Sequence, residues 1–134
     1  MDTGHFTRLS GDECSHLVRG HSVGRVCWVS TNGLQALPVS YVAAADGRIY
    51  FRTNPRSVMG DLAGPIQVAF EVDDIDVTTA TGWSVLVQGV AQAYEGSTDD
   101  LRLEPWAPGD RTLTVAITPS ACSGRAVSAA HKGS

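Results

Sequence analysis

The chain has 134 residues, of which 43% are hydrophobic and 18% are charged, and its formal net charge at pH 7 is −4. This length suits a single domain over residues 1–134 with a real core, and the balanced composition excludes an intrinsically disordered chain. The acidic excess argues against nucleic acid or an anionic membrane as a partner, so any anion site must be local.

The N-terminus and the cysteines indicate the cellular compartment. Residues 1–6 lack the positively charged lead and the apolar core of a secretory signal, and no apolar run is long enough to span a bilayer. Cys14, Cys27 and Cys122 are odd in number and lack Cys-x-x-Cys spacing. They are predicted to be reduced, mostly buried thiols of a cytoplasmic protein without a zinc site.

The chain begins with a predicted loose lead-in over residues 1–8, followed by a helix over residues 9–20. Ser10 and Glu13 have the spacing of a capping box, and Gly20 ends the apolar stripe. From Val23 the hydrophobic period changes from that of a helix to two, which is typical of strands.

Alternating or largely apolar runs predict the strands 25–30, 34–43, 48–53, 66–73, 81–94, 113–117 and 123–127. Asn32-Gly33 and Asp46-Gly47 are two-residue hairpin signals, so the first three strands are expected to form an antiparallel meander. Pro38 indicates an edge, a bulge or an interrupted ladder, and Gly89 indicates a kink or bulge.

Two further short helices are predicted, over residues 56–62 and 97–103. Residues 104–109 are predicted to form a rigid, proline-bounded turn that presents Trp106, and residues 128–134 are expected to be a loose tail. Six or seven strands with two or three short helices and closely spaced turns predict a mainly β protein, a closed or nearly closed antiparallel barrel, with a sandwich as the alternative.

The corner after residues 48–53 is a candidate anion site. Asn54 is a good N-cap and Pro55 a good first helical residue, so the next backbone N–H groups are predicted to be free. Arg52 and Arg56, with the hydroxyls of Thr53 and Ser57, would surround a phosphate there. The alternative is a capped helix start that binds nothing.

No common catalytic constellation is present. The sequence has no glycine-rich nucleotide loop, no Gly-x-Ser-x-Gly and no His-Glu-x-x-His, and its histidines lie near the termini or the first helix. Any catalysis is therefore expected to come from a bound cofactor.

Several motifs in order resemble actinobacterial proteins of the pyridoxamine 5′-phosphate oxidase-like group. They are Val23-Gly-Arg-Val26, Leu37-Pro-Val-Ser-Tyr41, Ile49-Tyr-Phe-Arg-Thr53, Val68-Ala-Phe-Glu-Val-Asp-Asp74, Gly82-Trp-Ser-Val-Leu-Val-Gln-Gly89 and Pro105-Trp-Ala-Pro-Gly109. The resemblance covers roughly residues 9–127. It implies a Greek-key, FMN-binding split β-barrel that forms a homodimer, with the cofactor at the subunit interface; some relatives use a deazaflavin or haem instead.

The resemblance also implies the positions of the cofactor-binding residues. The flavin ring would lie along Leu37, Pro38, Val39, Ser40 and Val42, and the phosphate at Arg52, Thr53, Arg56 and Ser57. Trp83 and Ser84 correspond to positions next to the ring. Trp106 is a candidate contributor from the partner subunit, with a role in filling a core or interface pocket as the alternative.

Four positions depart from the family pattern. Val58 and Met59 occupy places that are usually basic in flavin-binding members, and Leu37 and Val42 replace basic residues of the oxidase itself. The residues that hold the substrate phosphate in the oxidase are not recognisable in this sequence, so vitamin B6 oxidation is not predicted. The leading hypothesis is a flavin-dependent oxidoreductase acting on a small, aromatic or nitroaromatic molecule. The alternatives are a non-catalytic dimeric barrel without tight FMN and an enzyme that uses a deazaflavin or haem.

Overall fold

The structure, a computed structural model, describes residues 5–103 and 111–128, which form one antiparallel sheet with two helical segments. The strands are β1 (His5–Arg8), β2 (Val23–Ser30), β3 (Gly33–Ser40), β4 (Val42–Ala43), β5 (Ile49–Thr53), β6 (Ile66–Asp76), β7 (Thr81–Ala93) and β8 (Leu113–Ser128). Their order is β3-β2-β6-β7-β8-β5-β4, and β1 pairs with β8. The predicted fold class, a mainly β split barrel, is confirmed.

A break at Tyr41 curls this sheet into a barrel. The side chain of Tyr41 is buried, its N–H donates to the Ser22 carbonyl at 2.9 Å, and its hydroxyl donates to the Val18 carbonyl at 2.6 Å. The residues before and after it, in β3 and β4, lie at opposite ends of the strand order. The predicted continuous strand over residues 34–43 and its meander are therefore wrong, although both hairpins and the edge position of Pro38 are confirmed.

The core fills the inner face of the curled sheet. Alternate residues of β2, β6 and β7 are buried, because successive side chains of a strand point to opposite faces. The largest fully buried side chains include Phe51, Phe70, Ile49, Leu62 and Ile117. Between Gln88 and Gly89 the β7–β8 register shifts, which confirms the predicted bulge.

Helix α1 (Gly11–Arg19) packs against the barrel through Cys14 and Val18. Its capping box is present as predicted: the Glu13 N–H donates to the Ser10 hydroxyl at 3.1 Å, and the Ser10 N–H donates to the Glu13 carboxylate at 2.8 Å. Of the three cysteines, only Cys14 is buried, so the expectation of mostly buried thiols is wrong.

Other predicted boundaries need correction. Residues 5–8 are strand β1 rather than a loose lead-in, because they pair with residues 125–128. The strands predicted over 113–117 and 123–127 are parts of one strand, β8. Residues 97–103 form turns rather than a helix. The second helical segment is a 3₁₀ helix over Val58–Ala63 that begins two residues later than predicted.

Residues 1–4, 104–110 and 129–134, including Trp106 and most of the predicted C-terminal tail, lie outside the described residues. Within the described ranges, no helix combines the length and hydrophobicity needed to cross a bilayer. The same ranges contain no group of three metal-ligating side chains close enough to hold an ion.

Candidate functional site

The segment predicted to line a flavin ring divides between the two faces of the sheet. Leu37 and Val39 face the core, and Val39 is 7% exposed. Pro38 and Ser40 therefore lie on the opposite side, which we call the outer face, opposite Arg25 and Val23 of β2. Side chains of Pro38 and Ser40 can reach a ligand on this face, whereas Leu37 and Val39 can offer only backbone groups.

The outer face continues from Ser40 across β4 to β5. Val42 lies opposite Tyr50 in the β4–β5 ladder. Tyr50 is covered by Tyr94, whose ring stacks edge-on with a centroid distance of 5.0 Å. Arg52, two residues further along β5, is exposed on the same face. Val42 and Arg52 thus both belong to the outer side of the β4–β5 ladder.

The cations at this corner are accessible. The Arg52 guanidinium donates one hydrogen bond, at 3.2 Å, to the hydroxyl of Thr98. Arg56 is exposed in the turn after β5. Among the described residues, no carboxylate lies within 4.0 Å of either guanidinium. Within residues 5–103 and 111–128, the corner therefore offers two positive charges that no carboxylate neutralises.

The backbone N–H groups at the corner are not free, so that expectation was wrong. The Arg56 N–H donates to the Asn54 side-chain oxygen at 2.9 Å, and the Ser57 N–H donates to the Asn54 carbonyl at 3.2 Å. Asn54 caps this turn rather than a helix, and the 3₁₀ helix begins after Ser57 instead. The Ser57 hydroxyl donates to the Asn54 carbonyl at 2.8 Å and accepts from the Met59 N–H at 3.1 Å.

Thr53 also differs from a typical phosphate ligand. It is 1% exposed, and its hydroxyl lies 3.1 Å from the sulfur of Met59 inside the barrel. Ile49 and Phe51 share this inward side of β5, because residues two apart in a strand face the same way. Thr53 therefore stabilises the corner from within and presents no group to the outer face.

Trp83 and Ser84 lie far from this corner on the same chain. Trp83 packs against the core, and its ring meets the His21 ring edge-on at 4.7 Å. Ser84 lies on the outer face between Asp73 of β6 and Arg125 of β8. Arg52 pairs with Thr114 near the other end of β8, which would be about 36 Å from Arg125 if the strand were straight.

A cluster on the outer face beside Ser84 was not predicted. Arg25 of β2 donates to Glu71 at 3.1 Å and to Asp73 at 3.4 Å. The pKa of Glu71 is raised to about 7, mainly by burial and also by the hydrogen bond and negative charge of Asp73, while Arg25 opposes the shift. The alternation of Glu71 and Asp73 with buried Phe70 and Val72 was the available signal.

Comparison with known proteins connects this geometry to a family. A family model described as pyridoxamine 5′-phosphate oxidase matches residues 10–126. The chain belongs to this family. An uncharacterised protein of Mycobacterium tuberculosis, Rv0080, is 30% identical over 125 residues, which are 87% of this chain and 82% of that protein.

Solved protein structures are also similar to this chain. The FAD-binding protein from Mycobacterium smegmatis is 29% identical with a TM-score of 0.73, over 91% of this chain and 98% of that one. A heme-binding protein from Mycobacterium smegmatis is 15% identical with a TM-score of 0.62, over 87% of this chain and 54% of that one. The second likeness is one of fold alone.

In this pyridoxamine 5′-phosphate oxidase family member, strand β1 adds a feature that the sequence did not reveal. Arg8 of β1 lies directly opposite Arg125 of β8. Their partnership was missed because residues 1–8 were interpreted as unstructured, and no local motif links two residues so distant in sequence. The part of the outer face around Ser84 therefore combines a carboxyl pair on one side with an arginine pair on the other.

Proposed function

We propose that the protein binds a flavin, as FMN, and acts as an oxidoreductase on a small molecule. The observation that carries this proposal is the corner after β5. There the guanidiniums of Arg52 and Arg56 are exposed, with no carboxylate within 4.0 Å among the described residues, and Tyr50, two residues before Arg52, pairs with Val42. Such a corner suits a phosphate dianion joined to a flat ring.

The fit to the phosphate depends on charge rather than on backbone donors. Arg52 would need to exchange only a hydrogen bond to the neutral hydroxyl of Thr98 for one to an anionic oxygen. The hydroxyls of Thr53 and Ser57 are already engaged by their own chain. Val58 and Met59 add no charge. We therefore assign the phosphate to the two guanidiniums and the ring to the outer-face backbone near Ser40.

A second copy of the chain would complete the site. Ser84, which the family resemblance places next to the ring, cannot touch a flavin whose phosphate is held by Arg52 of the same chain, because most of β8 separates them. In a homodimer, Ser84 of the second copy could approach the ring. The protein would then resemble other family members in placing its cofactors between subunits.

The outer face offers a surface for such a dimer. The side chains of Val29 and Leu34, at the β2–β3 hairpin, are 66% and 83% exposed. They border a groove of about 520 Å³ with a floor of small side chains that includes Cys27, Ala36 and Ala69. Large exposed apolar side chains beside a shallow groove are typical of protein–protein contacts.

The chemistry would come from the cofactor. A bound flavin supplies hydride exchange, which no side chain near the corner offers. The chain itself would hold the phosphate through Arg52 and Arg56, orient the ring along Ser40 and Val42, and place the hydroxyl of Ser84 near the ring from the second copy.

A second candidate, a dimeric binding protein without tight flavin, is favoured by the same corner. Its amides and two hydroxyls are consumed by internal hydrogen bonds. Each missing charge-assisted contact would weaken a phosphate ligand by about 1.5–3 kcal/mol, or roughly ten-fold or more.

Titration of the purified protein with FMN separates the two candidates. Tight binding that weakens roughly ten-fold in Arg52→Gln or Arg56→Gln supports the flavin protein. Arg19→Gln, at an exposed arginine near the end of α1, is the matched control and should leave the affinity unchanged. Protein that gains no flavin favours the binding protein, and reconstitution with a deazaflavin or haem tests the remaining cofactors.

Sedimentation tests the dimer. Leu34→Asp should dissociate it, because a charge would enter an apolar interface. Val77→Asp is a matched control, since Val77 is 87% exposed at the β6–β7 turn, away from the groove. If the wild type sediments as a monomer, or if both variants remain dimeric, the assignment of this surface is wrong.

A further inference from the structure

Two arginines face each other at the β1–β8 edge of the sheet. Arg8 and Arg125 are direct partners in the antiparallel ladder, and both are exposed. Direct partners have Cβ atoms about 4.5–5.5 Å apart, and like charges placed in this way repel each other. The chain as a whole is acidic, with a net charge of −4, so a pair of adjacent cations runs against its average composition.

Neither guanidinium is neutralised within the described part of the chain. No carboxylate lies within 4.0 Å of Arg8 or Arg125 there. The guanidinium of Arg125 lies 5.2 Å from the centre of the Phe6 ring. This contact steadies the arginine without cancelling its charge, because an aromatic face carries only a partial negative charge.

Two hydroxyl groups lie next to the arginines. Ser84 is the direct partner of Arg125 on the other side of β8, and Ser123 is two residues from Arg125 on the same strand face. No hydrogen bond from either hydroxyl is present within residues 5–103 and 111–128. Both serines and both arginines line one pocket of about 360 Å³, which also includes Phe6.

We propose that Arg8, Arg125, Ser84 and Ser123 form a subsite for a phosphate or similar dianionic group of a small molecule. Repulsion between two exposed like charges costs only about 0.2–1 kcal/mol, so the empty pair is tolerable. A dianion placed between them would remove the repulsion and gain charge-assisted hydrogen bonds. The pocket is large enough for a compact anion with a short apolar body against Phe6.

Two sources could supply the anion: the second phosphate of a flavin dinucleotide, or an acidic substrate that approaches the flavin. Either source would lie near the flavin, because Ser84, which lines the pocket, is also the residue that the family resemblance places next to the flavin ring. The choice between these sources rests on the proposed flavin function, whereas the anion subsite does not.

The first experiment uses the flavin-free full chain and inorganic phosphate or pyrophosphate at constant ionic strength. Binding is followed by thermal melting and by the NMR signals of the arginine side-chain N–H groups. Arg8→Gln and Arg125→Gln should each raise the dissociation constant for the anion roughly ten-fold or more, and Arg19→Gln should not.

The melting temperatures of the same two variants in the absence of phosphate provide a second test. Because each removes one of two opposed cations, neither should lower the melting temperature in the absence of phosphate, and both should lose the increase that phosphate gives. If phosphate does not shift the wild type, or shifts the variants equally, the subsite does not exist. Lower melting temperatures with and without phosphate would assign the arginines to structural support instead and overturn the proposal.

A second experiment identifies the source of the anion. If it is the second phosphate of a dinucleotide, Arg125→Gln weakens FAD but not FMN. If it is an acidic substrate, Arg125→Gln leaves both flavin affinities unchanged while the phosphate affinity still falls. Failure of both flavins to bind the wild type would contradict the proposed function, and the phosphate titration would remain a separate test of the subsite.

Discussion

The chain carries two pairs of exposed arginines whose surroundings differ. At the corner after β5, Arg52 and Arg56 lie beside a turn whose amides and hydroxyls bond to the chain itself. At the β1–β8 edge, Arg8 and Arg125 face each other, with two serine hydroxyls that make no hydrogen bond in the described residues. The corner after β5 therefore offers positive charge but few free hydrogen-bond donors. The β1–β8 edge, which pairs strands distant in sequence, offers both positive charge and free hydroxyl donors.

The difference has a structural cause. Asn54 satisfies the N–H groups that follow it, as short polar side chains do in turns, so a chain that turns sharply consumes the donors at its own corner. A strand ladder uses only backbone groups, so forming it does not by itself engage the side chains of the outer face. A site built across a ladder therefore retains its side-chain donors for a ligand.

The largest expected effect comes from adding a side chain at Gly124, where β8 packs closely against Cys14 of α1. A Cβ atom on Gly124 would lie 2.7 Å from the sulfur of Cys14 and 3.0 Å from a methyl carbon of Leu9. Gly124→Val should therefore lower the free energy of unfolding by about 1–3 kcal/mol through overpacking. It should also weaken phosphate binding at Arg8 and Arg125. Urea unfolding and phosphate titration measure the two effects.

Gly11→Ala provides the control for this change, because a Cβ atom at Gly11 would meet no atom within 4 Å. Its unfolding midpoint should stay the same or rise slightly, since alanine is favoured over glycine in a helix. FMN binding at the β5 corner should survive in Gly124→Val. Equal midpoints for Gly124→Val and the wild type would show that α1 does not pack tightly on β8.

The fold was largely predictable from the sequence, because its signals are local. Alternation identified most of the strands, Asn32-Gly33 fixed the first hairpin, and the Ser10–Glu13 capping box fixed the start of α1. The break at Tyr41 was missed, since it depends on hydrogen bonds to Val18 and Ser22 that form only when α1 packs on the barrel.

The candidate site was less predictable. Arg52 and Arg56 were recognised as accessible cations. The alternation in residues 48–53 puts Thr53 on the same side as Ile49 and Phe51, but no pattern indicates its contact with Met59 or the hydrogen bonds by which Asn54 satisfies the amides. Arg8 was missed because a four-residue strand at a chain terminus has too few residues for alternation to be detected. Residues that belong to a ladder only through a distant partner give no local signal.

A smaller effect tests the interpretation that Thr53 supports the corner from inside. Thr53→Val keeps the shape of the side chain and removes only the hydroxyl that lies on the Met59 sulfur. We expect a loss of at most about 1 kcal/mol in stability and no change in FMN affinity. Thr53→Ala also removes a buried methyl group and should cost about 1 kcal/mol more. FMN binding is measured by fluorescence titration. Weaker binding in Thr53→Val would show that the Thr53 hydroxyl contacts the phosphate and would contradict a purely structural role.

The smallest effect concerns the carboxyl pair on the other side of Ser84. The pKa of Glu71 is about 7 in the folded protein against 4.5 for the free side chain, so the folded state holds a proton that the unfolded state has lost between these values. Stability should therefore fall as pH rises from about 4.5 to 7, and this contribution should be constant above pH 7.

Glu71→Gln removes the titrating group, so the fall with pH should be smaller in the variant than in the wild type. The difference should be under about 1 kcal/mol, because solvent screens the partly exposed pair. Arg25→Gln should have the opposite consequence: Arg25 holds the Glu71 pKa down, so its loss extends the fall above pH 7. Urea unfolding at several pH values measures all three proteins. Parallel pH profiles for Glu71→Gln and the wild type would mean that Glu71 titrates normally, and the outer face around Ser84 would then carry a carboxylate rather than a proton donor at neutral pH.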